Sequence, residues 1–120
     1  MSGREAVLAY AREKYGAEPE NLWRKFPHYA VLRHKNEGNW FGLIMNVRRE
    51  RLGLAGKGEI DILDVKAGAD LSRHMCGEPG IFPAYHMNKD QWLSLVLDGS
   101  APAATIFSLL DKSYALTGSA

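Results

Sequence analysis

The stretch Ala30-Val31-Leu32-Arg33-His34-Lys35-Asn36-Glu37-Gly38-Asn39-Trp40-Phe41-Gly42-Leu43-Ile44-Met45-Asn46-Val47-Arg48 decides the fold class. Two runs rich in β-branched and aromatic residues flank the polar turn Asn36–Asn39, the signature of an antiparallel hairpin. If Glu37-Gly38 is a two-residue loop, His34 faces Phe41, Leu32 faces Leu43 and Ala30 faces Met45. That face is apolar and predicted to be core. The opposite face pairs Lys35 with Trp40, Arg33 with Gly42 and Val31 with Ile44, then continues to Asn46 and Arg48. Such alternation suits a half-buried sheet with one solvated face.

Outward from the hairpin, the punctuation is clear. Upstream, Ser2 and Glu5 form a capping-box pair, and Val7, Leu8, Ala11 and Tyr15 recur at helical spacing until Gly16, predicting a helix over 3–15. Trp23 and Phe26, between Pro19 and Pro27, predict a short strand or extended segment. Downstream, the glycine-rich Leu52–Gly58 reads as a loop, Glu59–Val65 as a strand, and Asp70–Met75 as a short helix ended by Gly77. Gly80–Tyr85 is extended, with Pro83 marking an edge strand. Asn88 with Gln91 reads as a second capping box, predicting a helix that carries Trp92, Leu93, Leu95 and Val96. A last helix begins at Ser100 or Ala101, with Pro102 in its first turn and Ile106, Phe107, Leu110 and Tyr114 on its apolar side. The reading is one α+β domain over 1–120, an antiparallel sheet with helices on one face.

Bulk properties narrow the class. A hydrophobic fraction of 46% and twelve aromatic residues support a packed core over disorder. No stretch approaches the roughly 18 apolar residues of a membrane span, and no signal-peptide core is present. Cys76 is the single cysteine, so no internal disulfide forms; a reducing, cytoplasmic compartment is expected. Net charge is only +1, yet it is unevenly spread. Between Asn21 and Gly58 eight cations face two carboxylates, an excess of +6, while the other seven cations are outnumbered by twelve carboxylates. That asymmetry points to an anionic partner.

The segment Pro83-Ala84-Tyr85-His86-Met87-Asn88-Lys89-Asp90-Gln91-Trp92, followed by Leu97-Asp98-Gly99-Ser100, resembles the MmcQ/YjbR family of small bacterial proteins. Trp23-Arg24-Lys25, Lys66 and Ser113-Tyr114 agree with it. Many members follow the lysine with an acidic residue and a proline; here Ala67-Gly68-Ala69-Asp70 follows, which bears on where the central helix begins. The resemblance implies an antiparallel sheet backed by helices, described as a double-wing DNA-binding fold, in a bacterial cytoplasmic protein.

No nucleophile elbow, phosphate-binding loop or dinucleotide fingerprint is present, and the glycines at 53, 56 and 58 lack the required spacing. No catalytic role, cofactor or metal site is predicted. His74, Cys76 and His86 make a weak ligand set, and the lone cysteine reads as a small buried side chain. The expected nucleic-acid surface is Arg33, Lys35, Trp40, Arg48, Arg49, Arg51 and Lys57, cations beside a stacking indole. Affinity for DNA should be weak and salt-sensitive. The two candidate wings, the turn at 37–38 and the loop at 52–58, leave opposite ends of one strand, so both cannot enter one groove unless the sheet face spans the duplex. The other expectations are a protein partner or homodimer docking on an exposed Trp40–Ile44 face, and a small anion held by His86, Asn88 and Lys89 at a helix start.

Overall fold

The structure, a computed structural model, describes residues 3–35 and 38–118. Ser2, the centre of the hairpin turn (Asn36 and Glu37) and the final Ser119-Ala120 lie outside the described residues. The elements are α1 (Gly3–Tyr15), β1 (Ala30–Arg33), β2 (Trp40–Arg48), a 3-10 turn (Arg49–Leu52), β3 (Glu59–Lys66), α2 (Ala69–Met75), β4 (Ile81–Pro83), β5 (Trp92–Val96) and α3 (Ala103–Thr117). The strands form an antiparallel sheet in the order β1-β2-β3-β5-β4, with the helices on one face. The fold class is therefore as expected. No helix among the described residues is long and apolar enough to cross a membrane.

The helical layer follows from two apolar stripes. Val7 and Ala11 of α1, and Ile106, Leu109 and Leu110 of α3, bury against Leu32, Ile44, Leu63, Val65, Leu93 and Leu95. The helices clasp each other through stacked rings, Tyr10 on Phe107 at 4.3 Å and Tyr15 on Tyr114 at 4.0 Å. Asp111 accepts hydrogen bonds from Tyr10, Tyr15 and Lys14 in the same seam. Gly42 lets α3 approach, because a Cβ there would lie 3.2 Å from Leu32 Cδ1 and 3.5 Å from Leu110 Cδ1.

The hairpin register differs from the expected one. Ala30 pairs with Ile44, Val31 with Leu43 and Leu32 with Gly42, after which the pairing shifts to Arg33 with Trp40. The shift leaves Phe41 as an extra residue, a β-bulge. A one-residue slip exchanges the faces of a strand. Ile44 therefore lies under the helices, fully buried, whereas Leu43, Met45 and Val47 point the other way.

That other face is not solvated, contrary to the sequence reading. Val31, Leu43, Met45, Val47, Ile60, Ile62 and Val96 form a second buried cluster. Trp23, Tyr29, Leu52, Leu54 and Tyr85 cover it. The predicted extended segment before β1 supplies this cover, anchored by the Glu20–Val31 bridge. Arg4 reinforces it by bonding both Asp61 of β3 and the His28 carbonyl.

The predicted helix after Asn88 is also corrected. Trp92–Val96 is β5, flanked by β3 and β4. Asn88 does not cap a helix; its Oδ1 accepts the Asp90 N–H, and its carbonyl accepts from Gln91 and Trp92. Leu93, Ser94, Leu95 and Val96 are all buried, and so short a run with apolar residues at 92, 93, 95 and 96 fits a helical stripe as well as a strand covered on both faces. Pro102 precedes α3 as its cap instead of sitting inside its first turn. The central helix begins at Ala69, directly after Gly68 at φ +84°.

Ser113 of α3 is fully buried and acts as a wedge in the sheet. The β2–β3 ladder stops at Leu43 opposite Asp64; continued, it would put Phe41 opposite Lys66. There the Ser113 hydroxyl donates to the Phe41 carbonyl at 2.6 Å and accepts the Lys66 N–H at 2.9 Å. Ser113→Ala strands two buried backbone groups, so urea denaturation should show a loss of about 2–4 kcal/mol. A loss well under about 1 kcal/mol would mean that water replaces the hydroxyl there.

Candidate nucleic-acid interface

The expected surface residues divide between two ends of the sheet. The nine residues Trp40–Arg48, extended, put the first and last about 26 Å apart. Arg33, Lys35 and Trp40 lie at one end, and Arg48, Arg49, Arg51 and Lys57 at the other. Each group must be judged by what its side chains touch.

At the first end, the charge is largely committed. Arg33 donates to both carboxylate oxygens of Glu20, at 2.6 and 2.7 Å, in a half-buried pair. It fastens the covering segment to β1 and is not a loose phosphate contact. The Lys35 ammonium lies beside Gly16 at the end of α1, not over Trp40. Trp40 is half-buried and meets Trp23 edge-on at 5.7 Å. With Ile44 fully buried, the proposed Trp40–Ile44 docking face does not exist as a surface.

At the second end, the geometry is different. A cleft of about 340 Å³ opens where β2 turns back toward β3. Lys25, Arg48 and Arg51 supply its cations, and Phe26, Tyr29 and Tyr85 its rings. Phe26 is 47% exposed, unusual for so large an apolar side chain, and stacks on Tyr29 at 4.7 Å with 19° between the planes. Two carboxylates temper the charge: Arg48 is paired with Glu50, and Glu59 accepts from Asn46 at 3.0 Å. Lys57 is exposed on the neighbouring loop. Arg49 turns away from the cleft; its stem lies against Gly56, and its charge helps Ser100 hold the Asp98 carboxyl low.

Lys25, Phe26, Tyr29 and Tyr85 were not among the sequence-derived site residues. The signal was present in Trp23-Arg24-Lys25-Phe26, a cation pair flanked by rings. It could be placed only once the segment was seen to cross the sheet.

The His86–Lys89 turn holds no helix start; the following Asp90 N–H donates to Asn88 Oδ1, and those of Gln91 and Trp92 donate to the Asn88 carbonyl. The Lys89 ammonium donates to the Ala84 carbonyl at 2.8 Å. His86 adopts φ +65°, a left-handed turn conformation, and its ring rests 3.9 Å from that of Tyr85. Cys76 is exposed, contrary to the expectation of burial, and no group of three potential metal ligands occurs among the described residues.

Below this turn sits a carboxyl that the sequence did not single out. Asp64 is fully buried at the centre of β3. The Tyr85 N–H donates to Ser94 Oγ at 2.8 Å, and the Ser94 hydroxyl in turn donates to Asp64 Oδ1. Asp64 Oδ2 has no hydrogen-bond partner among the described residues. Burial pushes the Asp64 carboxyl up to about 7, against the opposing pull of Ser94 and the Lys89 charge. Burial, then the nearby Tyr85, Glu59 and Asp64, push the Tyr29 phenol up as well.

The chain matches the family model YjbR over residues 12–116. It is 44% identical over 117 residues to the Bacillus subtilis protein called "Uncharacterized protein YyaQ", covering 98% of this chain and 99% of that one. A Pseudomonas syringae protein solved by crystallography superposes with a TM-score of 0.92 at 39% identity, covering 96% of this chain and 98% of that one. A Deinococcus radiodurans crystal structure has a TM-score of 0.70 at 20% identity over 97% of this chain and 78% of that one, a likeness of fold alone.

The buried carboxyl gives a measurable pH dependence. Its folded value of about 7 lies above the ordinary 3.8, so the folded state keeps a proton that the unfolded chain releases. Stability from this group is full below the unfolded value and falls as pH rises toward 7, by about 4 kcal/mol. Urea midpoints between pH 4 and 8 should decline more steeply for the wild type than for Asp64→Asn. Parallel curves would show that Asp64 titrates normally.

Proposed function

The chain belongs to the YjbR family, and we propose that it binds nucleic acid through the cleft at the Arg48–Glu59 end of the sheet. The observation that carries this reading is the exposed Phe26 ring, held by Tyr29 and surrounded by Lys25, Arg48 and Arg51. Cations along a groove track phosphates, and an aromatic platform stacks an unpaired base; together they favour single strands. Lys57 and Arg24, both exposed nearby, extend the positive track.

This reading modifies the double-wing picture. The two ends of β2 are about 26 Å apart, wider than the ~12 Å major groove, so the hairpin turn and the glycine-rich loop do not share one groove. Only the end bearing the glycine-rich loop contributes to binding. The reading requires no bond-making step, and the cytoplasm is the compartment in which it would operate. With few phosphate contacts, affinity should be modest and fall steeply with salt.

Anisotropy of labelled oligonucleotides over a salt series tests it. Single-stranded DNA should bind more tightly than duplex. Lys25→Ala and Arg51→Ala should each weaken binding across sequences and lower the salt slope by about 1. Phe26→Ala should remove about 1–3 kcal/mol from single-strand binding and little from duplex. Arg33→Ala should lower thermal stability and leave binding intact. Absence of saturable binding at low salt would overturn the reading.

A further inference from the structure

A second cleft, of about 570 Å³, lies at the opposite end of the sheet. That volume suits a small-molecule site. Trp40, Trp92, Lys66, Arg33, Met87 and Leu116 carry its character. It opens beyond the last paired residues of the β2–β3 ladder, beside Lys66, whose backbone N–H donates to Ser113 Oγ.

The lining has a particular chemistry. Trp92 pairs directly with Lys66, and Trp40 lies across β3 on β2. The two indoles therefore stand on strands two spacings apart, about 10 Å, with the lysine strand between them. Leu116 is 41% exposed at the rim, and Met87 adds an adaptable apolar wall. Arg33 gives its charge to Glu20. The Lys66 side chain forms no hydrogen bond or ion pair with another described residue, and no Asp or Glu among the described residues lines the cleft.

We propose that this cleft binds a small aromatic anion, a flat ring bearing one carboxylate or phosphate. The ring covers the indole faces and the exposed Leu116, replacing water on apolar surface, and the anion meets the Lys66 ammonium. A ring without a charge leaves Lys66 unmatched, and an anion without a ring leaves the indoles wet. Both features are required together. The site stands apart from the nucleic-acid cleft and does not depend on it.

The test is a titration of 15N-labelled full-length protein, following the indole N–H signals of Trp23, Trp40 and Trp92. The probes are indole-3-acetate, benzoate and adenosine 5′-monophosphate, with indole and inorganic phosphate as single-feature controls. Saturable shifts at Trp40 and Trp92, in the millimolar range or tighter, are expected for the ring-bearing anions. Indole and phosphate should bind about ten-fold more weakly or worse. Lys66→Met should reduce affinity by a similar factor, Lys66→Arg should restore most of it, and Lys25→Ala with Arg51→Ala should change nothing. Binding of the nucleotide alone assigns the anion to phosphate; binding of the carboxylates assigns it to a metabolite acid. No saturable shift with any of the three, or equal affinity in Lys66→Met, overturns the proposal.

Discussion

The hydroxyl of Ser113 is the contact on which the rest of the arrangement depends. It stands between the Phe41 carbonyl and the Lys66 N–H, where a ladder bond would otherwise form. One small side chain thereby binds α3 to two adjacent strands while holding those strands apart. The bulge at Phe41 belongs to the same device: it turns the Phe41 ring toward Tyr15, Tyr114 and His34 at the helical layer. A larger residue at 113 would not fit against Phe41 and Lys66, and an apolar one would leave both backbone groups buried and unpaired. The same helix passes close over Gly42, where the missing Cβ leaves room for Leu110.

The second constraint is that the sheet is buried on both faces. The covering segment before β1 seals Leu43, Met45 and Val47 with Trp23 and Tyr29. Exposed cations and rings are thereby left to the two ends of the sheet, where strands stop and loops begin. Asp64 and its donor Ser94 are the exception, a buried polar pair in the middle of an apolar layer. The tie from Asp64 through Ser94 to the Tyr85 backbone joins the sheet centre to one wall of the basic cleft.

This arrangement also explains how far the sequence could be read. The bounds of α1 and β2 follow from their own residues, because Gly16, Gly38 and the glycine-rich loop mark where regular structure stops. β5 was misread because Leu93, Leu95 and Val96 are all buried and the polar Ser94 between them is buried too, so no solvated face marks the strand. Asn88 and Gln91 then imitated a helix start, although Asn88 in fact organises a turn. The hairpin register failed for a different reason. The bulge at Phe41 has its carbonyl held by Ser113, 72 residues away, and no local pattern records that contact. Arg33 likewise looked like a free cation because its partner Glu20 sits 13 residues upstream on the covering segment.

The two clefts are separated by the most constrained part of the molecule. Between them, β2 and β3 are bonded to each other and packed on both faces, and such cores resist gradual deformation. Their preferences are consequently set by local residues. At the Arg48 end, several exposed cations around one accessible ring suit a repeating polyanion that can slide past a stacking point. At the Lys66 end, one lysine between two indoles, with no carboxylate among the described residues of the lining, suits a single charge on a single ring. Number of cations, not net charge, separates the two, and the overall +1 of the chain conceals both.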